Sequence, residues 1–183
     1  YSFYSSAQQT SFENSLIYIK NNSPTAYTEI DSLFEPFEQD SLKMKRLLTV
    51  SKDISSFESC SYALNALGVI HRNISNYDEA IALHKEAEVY ADKGESTEFK
   101  IISLNMIGVI YRRMDVVKPA LDYHTEALKI AYSVLEPSQT VTENIAVSQN
   151  SIGNIYLALK QYDLAINQFN KSLAIEKSID NKL

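Results

Sequence analysis

The sequence predicts an all-α chain, a right-handed α-solenoid of helical hairpins preceded by a helical extension. Three observations carry that prediction. The first is a phrase that recurs as Leu64-Asn65-Ala66-Leu67-Gly68-Val69-Ile70-His71, Leu104-Asn105-Met106-Ile107-Gly108-Val109-Ile110-Tyr111 and Gln149-Asn150-Ser151-Ile152-Gly153-Asn154-Ile155-Tyr156. The second is an amphipathic run that follows each phrase at one offset, opening at Ala80, Ala120 and Ala165. The third is a scarcity of helix breakers, four Gly and four Pro in 183 residues of which 45% are hydrophobic. Gly68, Gly108 and Gly153 stand about 40 and then about 45 residues apart, a period that belongs to stacked supersecondary units rather than to one closed core.

The elements follow in order. Phe12, Leu16, Ile17 and Ile19 suit a helix over 8–21. Ser23-Pro24 is a restart, with Ser as N-cap and Pro in the first turn, and Tyr27, Ile30, Leu33 and Phe34 then recur at helical spacing until Pro36. A helix over 39–54 carries Leu42, Met44, Leu47, Leu48 and Val50. Leu47 precedes Gly68 by the interval that separates Ala87 from Gly108, so 1–57 is read as a helical extension whose helix over 39–54 sits where the second helix of a degenerate earlier repeat would be, its repeat identity left open. Three hairpins follow, over 58–96, 97–140 and 141–183, with helices at 58–74 and 77–93, 97–114 and 117–134, 141–159 and 162–179. Asn76 with Glu79 has capping-box spacing, Asp115 is a candidate N-cap and Gly94 is a helix stop. The connection Ser133–Thr142, with Pro137, absorbs the longer second period.

Composition narrows the function classes. A net charge of −6 disfavours nucleic acid and anionic membrane as partners, and no run approaches the roughly 18 apolar residues of a spanning helix. Cys60 stands alone, so neither an intrachain disulfide nor a thiolate metal cluster can form. The beginning, Tyr1-Ser2-Phe3-Tyr4, has no initiator Met and no leader pattern. Aligning Ser172 with Ala87 sets Leu183 opposite Glu98, where a further repeat would start, so the expectation is a piece of a longer protein.

The glycine of each phrase, the aromatic three residues later (Tyr111 and Tyr156, with His71 departing), the small residue opening each second helix and Phe169 on the last one resemble the tetratricopeptide repeat family. His84 and His124 depart from its aromatic position; Ala87 and Ala127 match its next small site, and Ser172 departs mildly. The period resembles the extended-helix subclass of kinesin light chains and bacterial signalling regulators. The phrasing resembles repeats that precede the membrane span in sensor histidine kinases of the Bacteroidetes. The resemblance implies a non-catalytic protein- or peptide-binding scaffold, the sensory or interaction part of a larger two-component signalling protein. It implies a periplasmic location for a sensor kinase and a cytoplasmic one otherwise. Two rivals stand beside it: a self-assembling adaptor that dimerises through its uncapped C-terminal helix, and a peptide-regulated aspartyl-phosphate phosphatase, onto which no residue here can be matched.

The resemblance places Asn65, Asn105 and Asn150 on a concave groove with Val69, Val109 and Asn154 beside them, where amides could grip a peptide backbone. The bland alternative is that each Asn bonds the neighbouring helix and fixes the stack. Arg72, Arg112 and Arg113 fall on the same side and could pair with a partner's carboxylates, or else sit as solvated charges at helix ends. His71, His84 and His124 read as planar packing groups with one hydrogen bond each; no metal, cofactor or catalytic constellation is expected. Cys60 reads as a small, partly buried residue.

Overall fold

The computed structural model describes the backbone of residues 2–180 and the side chains of residues 11–179. All its regular elements are helical: α1 (Ser2–Asn22), α2 (Tyr27–Phe34), a 3-10 turn (Glu35–Phe37), α3 (Ser41–Asp53), α4 (Phe57–Asn73), α5 (Tyr77–Lys93), α6 (Thr97–Arg113), α7 (Val117–Ser133), α8 (Gln139–Ala158) and α9 (Tyr162–Asp180). This is the all-α, solenoid-class repeat fold that the sequence predicts. α8 starts earlier than expected because Ser138 caps it, its Oγ accepting from the Val141 N–H at 3.2 Å. The chain forms two compact units, Tyr1–Phe99 and Lys100–Leu183.

In the first unit, α1, α2 and α3 pack with α4 around a core in which the Phe12 ring meets Phe34 and Phe37 edge-on. Leu47, on α3, is wholly buried in it. The Tyr62 hydroxyl reaches Asp31 Oδ1 at 3.0 Å and Glu38 Oε1 at 2.8 Å. A phenol has one proton to donate, so both contacts are hydrogen bonds only when one carboxyl is protonated. Burial is the largest influence on Glu38 and pushes its carboxyl up, against the lowering effect of the Tyr62 hydrogen bond. Cys60 is also wholly buried, and burial pushes its thiol up to about 11, the opposite of activation at a helix N-terminus.

In the second unit, Ile101 and Leu104 of α6, Ala127 and Ala131 of α7, and Val141 and Ile145 of α8 share one core. The small residues of α7 let the helices approach closely while the larger ones of α6 and α8 fill the space between.

The turns correct two expectations and bear out a third. Asn76 forms no side-chain cap; its Nδ2 lies 3.1 Å from His71 Nδ1 instead. The N-cap of α7 is Val116, not Asp115. Gly94 stops α5 as its C-cap, as expected, with an ordinary negative φ, and the left-handed conformation falls on the next residue, Glu95. The reason is common to all: Ser55, Ser75, Glu95, Asp115 and Lys160 each adopt φ of 53–62°. In each case the next residue's N–H closes onto the carbonyl five positions back, as Asn76 on His71 and Val116 on Tyr111, both at 2.9 Å. This is the Schellman closure, whose left-handed position favours glycine, and none of the five is glycine. Replacing Glu95 or Lys160 by Gly is therefore expected to stabilise the chain by about 0.5–1 kcal/mol. Chemical denaturation, read as a rise in midpoint at unchanged slope, checks it.

Candidate protein-binding surface

Each hairpin is closed by a ring set against a glycine. A Cβ built on Gly68 would lie 2.6 Å from ring atoms of His84, one on Gly108 2.7 Å from His124, and one on Gly153 2.6 Å from Phe169. Distances below 3 Å leave no room for a methyl, so the absence of a side chain sets the helix spacing.

The two histidines are polar partners of two of the asparagines. His84 Nδ1 lies 2.7 Å from Asn65 Oδ1, and His124 Nδ1 lies 2.9 Å from Asn105 Oδ1. A carboxamide oxygen only accepts, so each ring carries its proton on Nδ1 and turns a bare Nε2 toward its glycine. Burial first, and the charge of Arg72 or Arg112 second, hold His84 down at about 3 and His124 at about 4. Both rings are neutral at pH 7. Asn105 goes further: its Oδ1 also accepts from Ser148 Oγ at 2.6 Å, and its Nδ2 donates to the Asn144 carbonyl and to Asn144 Oδ1, both at 3.1 Å.

The groove assignment of Asn65 and Asn105 is thereby corrected. Asn65 is buried and Asn105 is wholly inaccessible, because hydrogen bonds inside the hairpin and, for Asn105, to α8 consume the amide. Asn150 stands at the same repeat position yet is exposed, and its Oδ1 accepts from Asn154 Nδ2 at 2.7 Å. Phe169 replaces the histidine there and offers it no hydrogen bond.

The remaining predicted residues divide by unit. In the first, Val69 and Arg72 are half-buried on α4, and Arg72 Nη2 donates to Asn73 Oδ1 at 3.4 Å. In the second, Arg112 and Asn154 come together: with Asp115, Val117, Ile155 and Ala158 they line a cleft of about 110 Å³ where the end of α6 meets α8. Val109 is half-buried on α6, and Arg113 is exposed. Burial, and then the Arg113 charge, lower the Arg112 guanidinium pKa, the signature of a cation partly withdrawn from water beside another. Sequence reasoning missed Asp115 and Val117 as lining residues. It also missed the Asn–His pairs, although Asn65 to His84 and Asn105 to His124 repeat one interval.

Among the described residues no group of three or more His, Cys, Asp or Glu could hold a metal ion, and no helix is long and apolar enough to cross a membrane. The sequence model of the tetratricopeptide repeat matches residues 63–96 and, separately, residues 146–179. No curated protein matches the chain in sequence. Among solved structures, the crystal structure of BtubC (BKLC) from P. vanneervenii matches with a TM-score of 0.65 at 16% identity, over 83% of this chain and 61% of that one. At that identity the likeness shows the fold alone, and this chain spans less than two thirds of that protein's length. With the repeat matched in these two places and an all-helical fold among the described residues, the chain carries tetratricopeptide repeats.

Proposed function

We propose that this chain is a non-catalytic scaffold that binds an acidic peptide segment at the α6–α8 cleft of its second unit. Tetratricopeptide repeats make protein-interaction scaffolds, and that coarse role follows from the family. The single observation carrying the finer reading is the half-buried Arg112 beside Asn154 in a small cleft, with exposed Arg113 adjoining. A guanidinium already partly stripped of water gives up less hydration on meeting a carboxylate, and the planar fork can bind it through two parallel hydrogen bonds. Val109 and Val117 supply apolar surface beside the charge, so a segment alternating acidic and aliphatic residues fits best.

In this reading the chain serves as the sensory or interaction region of a larger signalling protein of two-component type. α3, with buried Leu47 and a Schellman turn of the repeat form at Ser55, is the second helix of a degenerate earlier repeat. Titrating labelled synthetic peptides of alternating Glu and Leu, against matched Lys and Leu controls, tests the cleft. Binding of the acidic series is expected to weaken about tenfold with Arg113→Glu and to fall with added salt. Equal binding of both series, or affinity unmoved by Arg113→Glu, would remove the reading.

A further inference from the structure

We propose that the α6–α8 cleft takes the free amino terminus of its partner, an N-terminal aspartate or glutamate followed by an aliphatic residue. This rests on the acidic-peptide reading of the cleft and names the end of the segment that enters it. Arg112 alone would accept any carboxylate. Asp115 lines the same cleft, and an anion there repels the segment that Arg112 attracts. The fitting occupant therefore brings a cation to Asp115 as well as a carboxylate to Arg112.

The backbone does not call for an aspartate at this place. Ser55, Ser75, Glu95 and Lys160 take the same left-handed conformation, so the turn accepts neutral, acidic and basic residues alike. Nor does the Asp115 carboxylate cap α7, whose N-cap is Val116 and which has no side-chain cap bond. The turn holds Asp115 close to Arg112, since the Asp115 N–H donates to the Arg112 carbonyl at 3.1 Å. Even so, neither side chain joins an ion pair among the described residues. Arg112 Nε is buried without a hydrogen-bond partner. Opposite charges that line one cleft without neutralising each other complement a ligand that carries both signs.

Asn154 adds a third contact of defined polarity. Its Nδ2 is spent on Asn150, donating to the carbonyl at 3.0 Å and to Oδ1 at 2.7 Å. What remains of the amide is Oδ1, which only accepts. The cleft thus offers acceptors from Asp115 and Asn154 for an ammonium, and the Arg112 fork for a carboxylate. Size selects among the ligands that bear both. A cleft of about 110 Å³ holds about one small residue of a partner. An internal residue has at most one charge, whereas an amino-terminal aspartate or glutamate has an ammonium and a carboxylate together. A carboxyl-terminal lysine also has both, but on a longer stem. Val117 and Ala158 supply apolar wall for an aliphatic second residue.

The probe is a peptide of alternating Glu and Leu that starts with Glu and carries fluorescein at its carboxyl end. It is titrated with its amino terminus either free or acetylated. The free form is expected to bind the parent chain about tenfold more tightly. Asp115→Asn is expected to erase that difference; asparagine tolerates the left-handed backbone, and circular dichroism and melting temperature verify the fold. Equal binding of both forms, each weakened by Arg113→Glu, would overturn the proposal and leave the acidic-peptide reading standing. Binding of neither form would remove both. A preference for the free form that persists in Asp115→Asn would overturn the proposal, because the ammonium would then be met elsewhere. So would displacement of the peptide by free glutamate at matching concentration, the behaviour of a site for a single amino acid.

Discussion

Asn105→Ala is expected to destabilise the second unit by about 3–5 kcal/mol, while Asn150→Ala at the same repeat position changes stability by about 0.5 kcal/mol or less. The asymmetry follows from what each amide leaves behind. Removing the Asn105 carboxamide strands the His124 Nδ1–H in a site without water and deletes both bonds from its Nδ2 to Asn144. Only Ser148 recovers, since its Oγ also lies 3.0 Å from the Asn144 carbonyl. An uncompensated buried donor costs about 1–3 kcal/mol, and the void left by the amide adds to it. Asn150 loses a contact with Asn154 that water replaces. Urea denaturation of the two variants measures the difference. Equal costs would mean that the buried amide is not what ties α6 to α8.

Acid is expected to weaken the fold well before the carboxylates would do so alone. Both His84 and His124 have folded pKa values below the ordinary 6.5, at about 3 and about 4. Their stabilising contribution is therefore complete above about pH 6.5 and is lost as pH falls toward those lower values, because the unfolded chain takes up protons that the folded chain refuses. At pH 5 the loss comes to about 2 kcal/mol for each ring. Glu38 works in the opposite sense: its raised pKa contributes stability in acid that disappears as pH rises. It belongs to the unit of His84, so His124 gives the cleaner readout. His124→Phe, which installs the ring found at position 169, should flatten the pH dependence of unfolding by about 2 kcal/mol between pH 7 and pH 5. A slope identical to that of the parent chain would show that His124 takes up its proton as readily in the fold as in the unfolded chain.

Helix order and hairpin pairing were legible in the sequence because both are periodic. Gly68, Gly108 and Gly153 mark close crossings, and the alanines at the same offset mark the facing helix. What covers a given side of a helix was not legible. Counting at 3.6 residues per turn puts Asn105 and Val109 on neighbouring directions, and only the placement of α8 decides that the first is buried and the second half-open. The turns misled for a different reason. Asp and Asn favour N-caps in general, but the five-back backbone closure satisfies the end of the preceding helix first and moves Asp115 into its left-handed position. The histidines were read as packing groups. Their interval from the asparagines was available to inspection, although spacing by itself does not say which of two buried polar groups faces the other.

The links that tie the second unit together are short along the chain: Asn105 to His124 spans 19 residues and Ser148 to Asn105 spans 43. The first unit contains a longer one, from the Tyr27 N–H to Glu98 Oε2 across 71 residues. Loop closure grows dearer with length, and a ribosome delivers the chain from the N-terminus. The start of α2 must therefore wait, without that anchor, until α4 and α5 have been made and the first turn of α6 has emerged. The polar cluster at Asn105, by contrast, can close as soon as Ser148 leaves the exit tunnel, while α9 is still inside it.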